Sequence, residues 1–338
     1  MQRIVHTNHG EPAEVLRLEA LSDAGPLMSG TALVRVSAIP VHPGDLLGVS
    51  ASPAFGAPPR IPAGGRMPGV EGVGVVEALA ADIGQSTRIQ VGTRVAFFAL
   101  NGAWSTRVVA PVQLLITVPD EVSDEVAAQM LVNTLTARLA MRAGHNALPE
   151  DKREDVTVIQ TAANSAVGKL LTQLLIEVGV HPILLVGSDA SAEALRAARP
   201  NLPVIVTEHP GWKDKVRDAL ANRSVYVAFD GVGGALLPDV ADFLASGGTI
   251  ISYGSLGGAV TDIRSIAPRA LTIKGVSLFS WQYEPATVRS ADLAKALELA
   301  RNFPNLFPVA QRYQAGEYLR ALEHTGRRGK TGMVLLAF

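Results

Sequence analysis

Three small residues, Ala163, Ser165 and Gly168, have the spacing of a nucleotide-binding turn. They lie in "VTVIQTAANSAVGKLLTQLLIEVG", residues 156–179, where a β-branched run meets a turn and then apolar residues at helical spacing. In a G-x-G-x-x-G turn these positions serve the tight bend, the approach of backbone to pyrophosphate, and helix–strand packing. Only Gly168 is glycine. Ala163 and Ser165 are still small, and the Ser165 hydroxyl could donate to a phosphate at the helix N-terminus, where orphan N–H groups favour an anion. Asn164, Ala166 and Val167 complete the candidate cradle. The turn alone fits an ordinary strand–helix junction equally well.

About 20 residues further on, NAD-binding folds place an acid on the ribose diol. This chain has Gly187-Ser188 there. An acid would repel a 2′-phosphate, whereas Gly-Ser leaves room and offers a hydroxyl. Asp189, followed by "ASAEAL", reads as the start of a helix. Arg196, two helical turns on, could neutralise the phosphate or be an exposed helix arginine. The balance favours NADP(H) over NAD(H).

These candidates need a scaffold, and the texture of the chain supplies one. The first third is broken by glycine and proline into short apolar runs, "TALVRVSAI", "GVGVVEAL", "TRVAFFAL" and "STRVVAP". Such runs predict a mostly antiparallel, barrel-like domain. "ASPAFGAPPRIPAGGRMPG" reads as a long loop. From Ser123, a predicted helix cap, "SDEVAAQMLVNTLTARLAMRAG" has helical spacing and a glycine at its end. Strand and helix patterns then alternate, which predicts a doubly wound parallel sheet. A helix over 287–302 follows, and the tail ends in a strand expected to return to the first domain. The expected division is 1–122 with 304–338, and 123–303.

At 338 residues there is room for two cores. A net charge of −1 gives no basic field for nucleic acid. No apolar run approaches the ~18 residues of a membrane span, and "MQRIVHTNHGEPAEV" lacks the pattern of a secretion signal. The absence of cysteine removes disulfides, thiolate nucleophiles and Cys-ligated zinc together. A cytoplasmic protein is the default expectation.

Read together, these motifs resemble the zinc-independent medium-chain dehydrogenase/reductase superfamily, nearest to its NADPH quinone reductases and mitochondrial-type 2-enoyl thioester reductases. "QTAANSAVG" is similar to the enoyl-reductase form of the phosphate turn. "VNTLTA" resembles the helix segment whose Asn and Thr face the nicotinamide and substrate cleft, here Asn133 and Thr136. "FDGVGG" and "GGTIISYGSLGG" look like its fourth- and fifth-strand ends, which places Gly231, Val232, Tyr253 and Gly254 at the cofactor. "LTIKGVSLFSW" is similar to the strand that carries cofactor- and substrate-facing aromatics, here Phe279 and Trp281. The resemblance implies a GroES-like barrel, a Rossmann domain for NADP(H), and a homodimer joined through the "TIISYGS" to "LTIKGVSLFSW" edge.

Two departures matter. Zinc-dependent members carry Cys and a Gly-His-Glu triplet, where this chain reads Gly69-Val70-Glu71 and has no cysteine. His42 alone cannot make a three-ligand zinc site, so no metal is expected. The reductases also usually start an "NPSD"-like motif with Asn and place a Tyr about eight residues after its Asp. Here "VHPGDLLGVSASPAF" puts His42 for the Asn, keeps Asp45 on the substrate side, and has no tyrosine. In the enoyl reductases that tyrosine is the proposed proton donor.

The chemistry implied is hydride transfer to an electron-poor small molecule. His42 is a candidate proton donor because imidazole titrates near neutrality; the alternative is a loop histidine bonded to backbone. Asn133 and Thr136 could bind the acceptor oxygen or the carboxamide, while Thr134 reads as packing. Tyr253 could contact ribose or nicotinamide, or be a strand-end aromatic. Trp281 suits a cleft wall or a subunit contact, and Arg107 suits the surface or an ion pair. The leading expectation is an NADPH-dependent reductase of quinones or activated α,β-unsaturated carbonyl compounds. The alternatives are enoyl-thioester reduction and an NADPH-binding protein with little catalysis.

Overall fold

The computed structural model describes residues 1–338 except 21–24, 54–56, 85–87, 100–101, 153–155, 260–261, 263, 265 and 328. Part of the expected long loop, 54–56, and the end of the run "TRVAFFAL" at Leu100 therefore lie outside the described residues.

In chain order the first elements are β1 (Gln2–Val5), α1 (Pro12–Val15), β2 (Arg17–Ala20), β3 (Thr31–Pro40), α2 (Pro43–Val49) and β4 (Glu71–Leu79). Then come β5 (Arg94–Phe98), β6 (Arg107–Pro111), β7 (Ile116–Thr117), α3 (Asp124–Ala127) and α4 (Met130–Ala147). The middle of the chain forms β8 (Thr157–Gln160), α5 (Ala166–Glu177), β9 (Ile183–Val186), α6 (Asp189–Ala198), β10 (Val204–Val206) and α7 (Trp212–Leu220). It continues with β11 (Val225–Asp230), α8 (Leu236–Ala241), β12 (Leu244–Ser252) and β13 (Thr272–Gly275). The last elements are α9 (Ala286–Asn302), β14 (Val309–Gln314), α10 (Tyr318–Gly326) and β15 (Met333–Ala337). No helix among the described residues is long and apolar enough to cross a membrane.

The chain divides into two compact units, Met1–Val132 with Leu293–Phe338, and Asn133–Asp292. The divisions fall inside α4 and α9 instead of at 122/123 and 303/304. In the first unit a sheet runs in the order β14-β15-β3-β4-β5-β7, with β6 also on β3. Its pairings are antiparallel except β14 with β15. The C-terminal strand does return to this unit, with Leu336 opposite Ile39. Ile4, Val34, Ile39, Phe97, Trp104 and Leu336 pack in its core.

The second unit has six parallel strands in the order β10-β9-β8-β11-β12-β13. Strand side chains alternate between faces. Ile183 and Leu185 of β9 accordingly pack with Trp212, Val216 and Val240, while Leu184 and Val186 pack with Ala192 and Leu195. The sheet is thus covered on both faces, as a doubly wound fold requires. Strand order reverses between β8 and β11, and ligands of such folds bind beyond the carboxyl ends at that switch point.

Three local readings are corrected. The helix expected over 123–144 is two helices: Ser123 Oγ caps α3 by accepting from Val126 N, and a break follows. At the break, Gln129 Nε2 donates to Glu125 O (3.1 Å) and to Phe307 O (3.0 Å). Gly144 does not end α4, which runs to Ala147; a Cβ there would lie 2.5 Å from the Phe229 ring, so the glycine admits β11. Finally, "LTIKGVSLFSW" is not one strand. β13 stops at Gly275, and Leu278–Tyr283 forms a 3-10 turn whose cap, Ser277 Oγ, accepts from Phe279 N.

Candidate functional site

The turn after β8 is built from small residues held by short bonds. Ala162, and not Ala163, takes the left-handed backbone, at φ +48°. Its carbonyl accepts from Ser165 N at 2.9 Å, closing the bend. Ser165 caps α5 through Oγ, which accepts from Gly168 N at 3.0 Å and keeps its own proton for another partner. A Cβ on Gly168 would lie 2.3 Å from Ala162 O and 2.8 Å from Ala163 O, so only glycine lets α5 approach the turn. Buried Gln160 ties strand to helix, with Nε2 donating to Gly168 O (2.7 Å) and Oε1 accepting from Thr172 Oγ1 (3.1 Å). Beside the cap, Asn164 Oδ1 is buried without a hydrogen-bond partner. That acceptor calls for a donor such as a ribose hydroxyl, whereas an anion at the helix N-terminus would be met by the Ser165 hydroxyl and backbone N–H groups.

Across the switch point, two residues that the sequence reading passed over hold the strand ends together. Thr161 Oγ1 donates to Asp230 Oδ1 at 2.6 Å and accepts from Gly231 N at 2.9 Å. Asp230 also accepts from Val232 N (3.2 Å) and Gly233 N (2.9 Å). Tyr253 is tucked against this pair, its hydroxyl donating to Thr161 O at 3.3 Å. Burial, and then the Asp230 charge, push its phenol well above the ordinary value of 10, so it stays neutral. A Cβ on Gly231 would lie 2.7 Å from the Tyr253 ring, and one on Gly254 would lie 2.4 Å from Gly231 O. Both glycines therefore serve close packing of β11 and β12 around the tyrosine.

At the end of β9, Ser188 caps α6, its Oγ accepting from Ser191 N at 3.3 Å. A Cβ on Gly187 would meet only Glu208 Oε1, at 3.9 Å. Glu208 is thus an acid, contributed from beyond β10, that the local sequence around Gly187-Ser188 does not reveal. Asp189 Oδ2 accepts from His209 Nε2 at 2.9 Å. Arg196 already gives one N–H to Val204 O at 2.8 Å, so only part of its guanidinium is left for a phosphate.

On α4, Asn133 is buried and Thr136 half-buried, three residues apart and so on one helix face. Thr134 is fully buried, its hydroxyl without a hydrogen-bond partner. Trp281 departs from the expectation of a ligand-facing wall. It is buried, and its indole N–H donates to Asp292 Oδ2 at 3.0 Å. The same carboxylate receives Arg138 Nε (2.8 Å) and both terminal nitrogens of Arg142 (2.8 and 2.9 Å). Phe279 and Tyr283, in the same 3-10 turn, are exposed aromatics, at 58% and 82%.

In the first unit, His42 is the N-cap residue of α2. Its backbone N donates to Asp45 Oδ2 at 3.0 Å, and its ring Nε2 lies 2.7 Å from Glu71 Oε1. Its side chain thus meets a buried carboxylate, and it also takes part in a capping box with Asp45 at the start of α2. Burial lowers its pKa, but the Glu71 bond and the charges of Glu71 and Asp45 outweigh that and hold the ring above the ordinary 6.5. Burial also pushes the Asp45 carboxyl up, against the pull of His42 and the amides of His42 and Gly69. Arg107, half-buried on β6, pairs with Glu77.

Two domain descriptions match the chain: the alcohol dehydrogenase GroES-like domain over 28–120 and the zinc-binding dehydrogenase domain over 166–299. The chain belongs to the medium-chain dehydrogenase/reductase family. Within it, the mitochondrial enoyl-[acyl-carrier-protein] reductase of Bos taurus is 28% identical over 336 residues, covering 96% of this chain and 85% of its own. A mycobacterial protein solved with NADPH is 27% identical over the whole of both chains, with a TM-score of 0.85. A mycobacterial quinone oxidoreductase is also 27% identical over the whole of both, with a TM-score of 0.79. The family's zinc chemistry does not fit the residues here. The chain has no cysteine, His42 and Glu71 are turned on each other, and the second Glu71 oxygen is taken by the amides of Leu131 and Val132. Among the described residues no three His, Asp or Glu are grouped to hold a metal ion.

Proposed function

We propose that this family member is an NADPH-dependent reductase that passes hydride to quinones or activated α,β-unsaturated carbonyl compounds. The observation that carries the reading is the cradle at the switch point, where Ser165 caps α5 with its hydroxyl proton left to donate and Gly168 lets the helix N-terminus press on the turn. The NADPH held by the mycobacterial relative supports the same cofactor. When bound, NADPH supplies hydride from its C4. The chain must orient it, exclude water and stabilise the charge that develops on the acceptor.

The roles divide by position. Asn164, Ser165, Ala166, Val167 and Gly168 take the pyrophosphate; Gly187, Ser188 and the remaining N–H groups of Arg196 take the adenosine ribose and its phosphate. Gly231, Val232, Tyr253 and Gly254 line the strand ends towards the nicotinamide ribose. Asn133 and Thr136 hold the carboxamide or the acceptor oxygen, with Phe279 and Asp45 on the substrate side. His42 supplies the proton. A quinone needs little acid help because its reduced form is a stabilised anion, and the lack of a tyrosine after Asp45 favours such acceptors.

Enoyl-thioester reduction is the second reading, favoured by the bovine relative and by "AANSAVG". NADPH oxidation with a panel of quinones, enones and crotonyl thioesters separates the two. Turnover should be greatest with quinones or enones; greater turnover of the thioester would put the second reading first, and tight NADPH binding with no turnover would sink both.

Cofactor choice is testable at the end of β9. Gly187→Asp has room to fold and should shift preference towards NADH, whereas Glu208→Gln removes the neighbouring acid and should raise preference for NADPH. Ratios of kcat/KM for the two cofactors decide this, and unchanged ratios in both variants would refute the assignment.

The chain is also expected to form a homodimer. Among the described residues β13 pairs only with β12, all four of its residues are exposed, and an open strand edge is a template for a second copy. A monomer mass by gel filtration with light scattering would contradict this.

A further inference from the structure

Two acids stand at the end of β9, where a 2′-phosphate is expected. The turn after β8 and β9 are neighbours there, since Ala163 N donates to Leu185 O at 3.2 Å. In a fold of this kind, a dinucleotide with its pyrophosphate at the first turn sets its adenosine ribose beside the end of the second strand. The residues after β10 are tied down at the same end. Thr207 gives both its backbone N–H (2.8 Å) and its hydroxyl (3.2 Å) to the carbonyl of Val186, the last residue of β9. Glu208 and His209 follow directly. Glu208 Oε1 lies 3.9 Å from where a Gly187 Cβ would be, and Asp189 opens α6 next to its cap Ser188. A carboxylate suits the free 2′-hydroxyl of NADH, which can donate to it. The same carboxylate repels the 2′-phosphate of NADPH, a group with a charge of about −1.5 to −2 near neutrality. Arg196 can offset only one of the two acids, and it already gives an N–H to Val204 O.

His209 meets the other acid. Its Nε2 lies 2.9 Å from Asp189 Oδ2, and because a carboxylate only accepts, the ring donates this bond. The pair joins residues 20 apart in sequence and is braced from both sides. On one side Ser188 Oγ caps α6 through Ser191 N; on the other Thr207 holds the loop against Val186. Both partners face solvent, with 43% of the His209 side chain and 74% of the Asp189 side chain exposed. An exposed pair of this kind adds little to stability, so its place matters more than its strength.

We propose that His209 is a specificity-determining residue for the cofactor: by occupying Asp189 it removes one of two acids that would repel the 2′-phosphate, and so admits NADPH. The inference rests on the NADPH reading and deepens it, since it names the residue that lets a site flanked by Glu208 and Asp189 accept a phosphate.

Two fragments isolate this end of the cofactor, 2′,5′-ADP with the phosphate and 5′-AMP without it. Calorimetric titration of the full chain measures each, with no turnover required. His209→Ala leaves Asp189 bare, and affinity for 2′,5′-ADP should fall about three- to tenfold, the effect of one unit charge a few ångströms away in an aqueous setting. Affinity for 5′-AMP should not change. The loss should shrink as salt rises to about 1 M, where exposed charges are screened within a few ångströms. Asp189→Asn in the His209→Ala background should restore 2′,5′-ADP binding, because the acid is then gone with its partner. Equal losses of both fragments, or a loss that salt and Asp189→Asn leave unchanged, would mean that the pair only braces α6 and the loop after β10, and would overturn the proposal. The whole cofactors separate this from the wider reading. If the wild type bound neither NADPH nor NADH, the cofactor reading would fall and the inference with it. If it bound NADPH, and the ratio of NADPH to NADH affinity were the same in His209→Ala, the inference alone would fall.

Discussion

Gly168→Ala is expected to lose productive NADPH binding, with kcat/KM for the cofactor falling on the order of 100-fold, as a misplacement of about 1 Å in a positioning element can cause. The added Cβ would sit 2.3 Å from Ala162 O and 2.8 Å from Ala163 O. Neither carbonyl can yield easily. Ala162 is already in the left-handed region, and its oxygen holds Ser165 N at 2.9 Å. Relief therefore requires α5 to move off the turn, which breaks the Gln160–Gly168 bond and pulls the Ser165 cap away from the cradle. Overpacking of this kind costs about 1–3 kcal/mol of stability. A fluorescence titration with NADPH and a thermal melt check both parts. If the Gly168→Ala variant bound NADPH as the wild type does, the turn would be an ordinary strand–helix junction.

His42→Ala should slow enone reduction by roughly 100- to 10,000-fold, the usual contribution of a positioned general acid, with a much smaller effect on NADPH affinity. Quinone reduction should suffer less, because a reduced quinone does not need a proton at carbon. The pH dependence has a fixed sign. Despite the burial penalty, Glu71 and Asp45 hold the His42 ring above 6.5, and only the protonated ring can donate. Wild-type enone turnover should therefore be full below that value and decline as pH rises through the raised pKa. Rates for both acceptor classes across pH test the claim, and an equal loss with quinones and enones would assign His42 a structural role.

Local patterns made some of this legible before any coordinates. Ser165 and Gly168 stand out because capping and close approach restrict residue type over four positions, and the alternation of strands with helices foretold the parallel sheet. What the sequence hid was long-range. Glu71 lies 29 residues from His42, and Thr161 lies 69 residues from Asp230, so only the fold brings each pair within bonding distance. Gly144 looked like a helix stop because glycine often is one, but its smallness serves the Phe229 ring of β11. Trp281 looked like a cleft wall because it is large and amphipathic; Asp292, which already pairs with Arg138 and Arg142, also takes its N–H. Glu208 escaped notice because it reaches Gly187 from the next strand's end.

Hydride transfer from NADPH to an electron-poor carbon or quinone on this chain can be followed by isotope label. NADPH carrying deuterium at C4, in separate samples of each face, should be mixed with an enone and with a quinone under single-turnover conditions. The expected result is a primary isotope effect on NADPH oxidation with one labelled face, and deuterium at the β-carbon of the reduced enone. Saturable NADPH binding with no deuterium passed to the enone and no isotope effect with the quinone would contradict it.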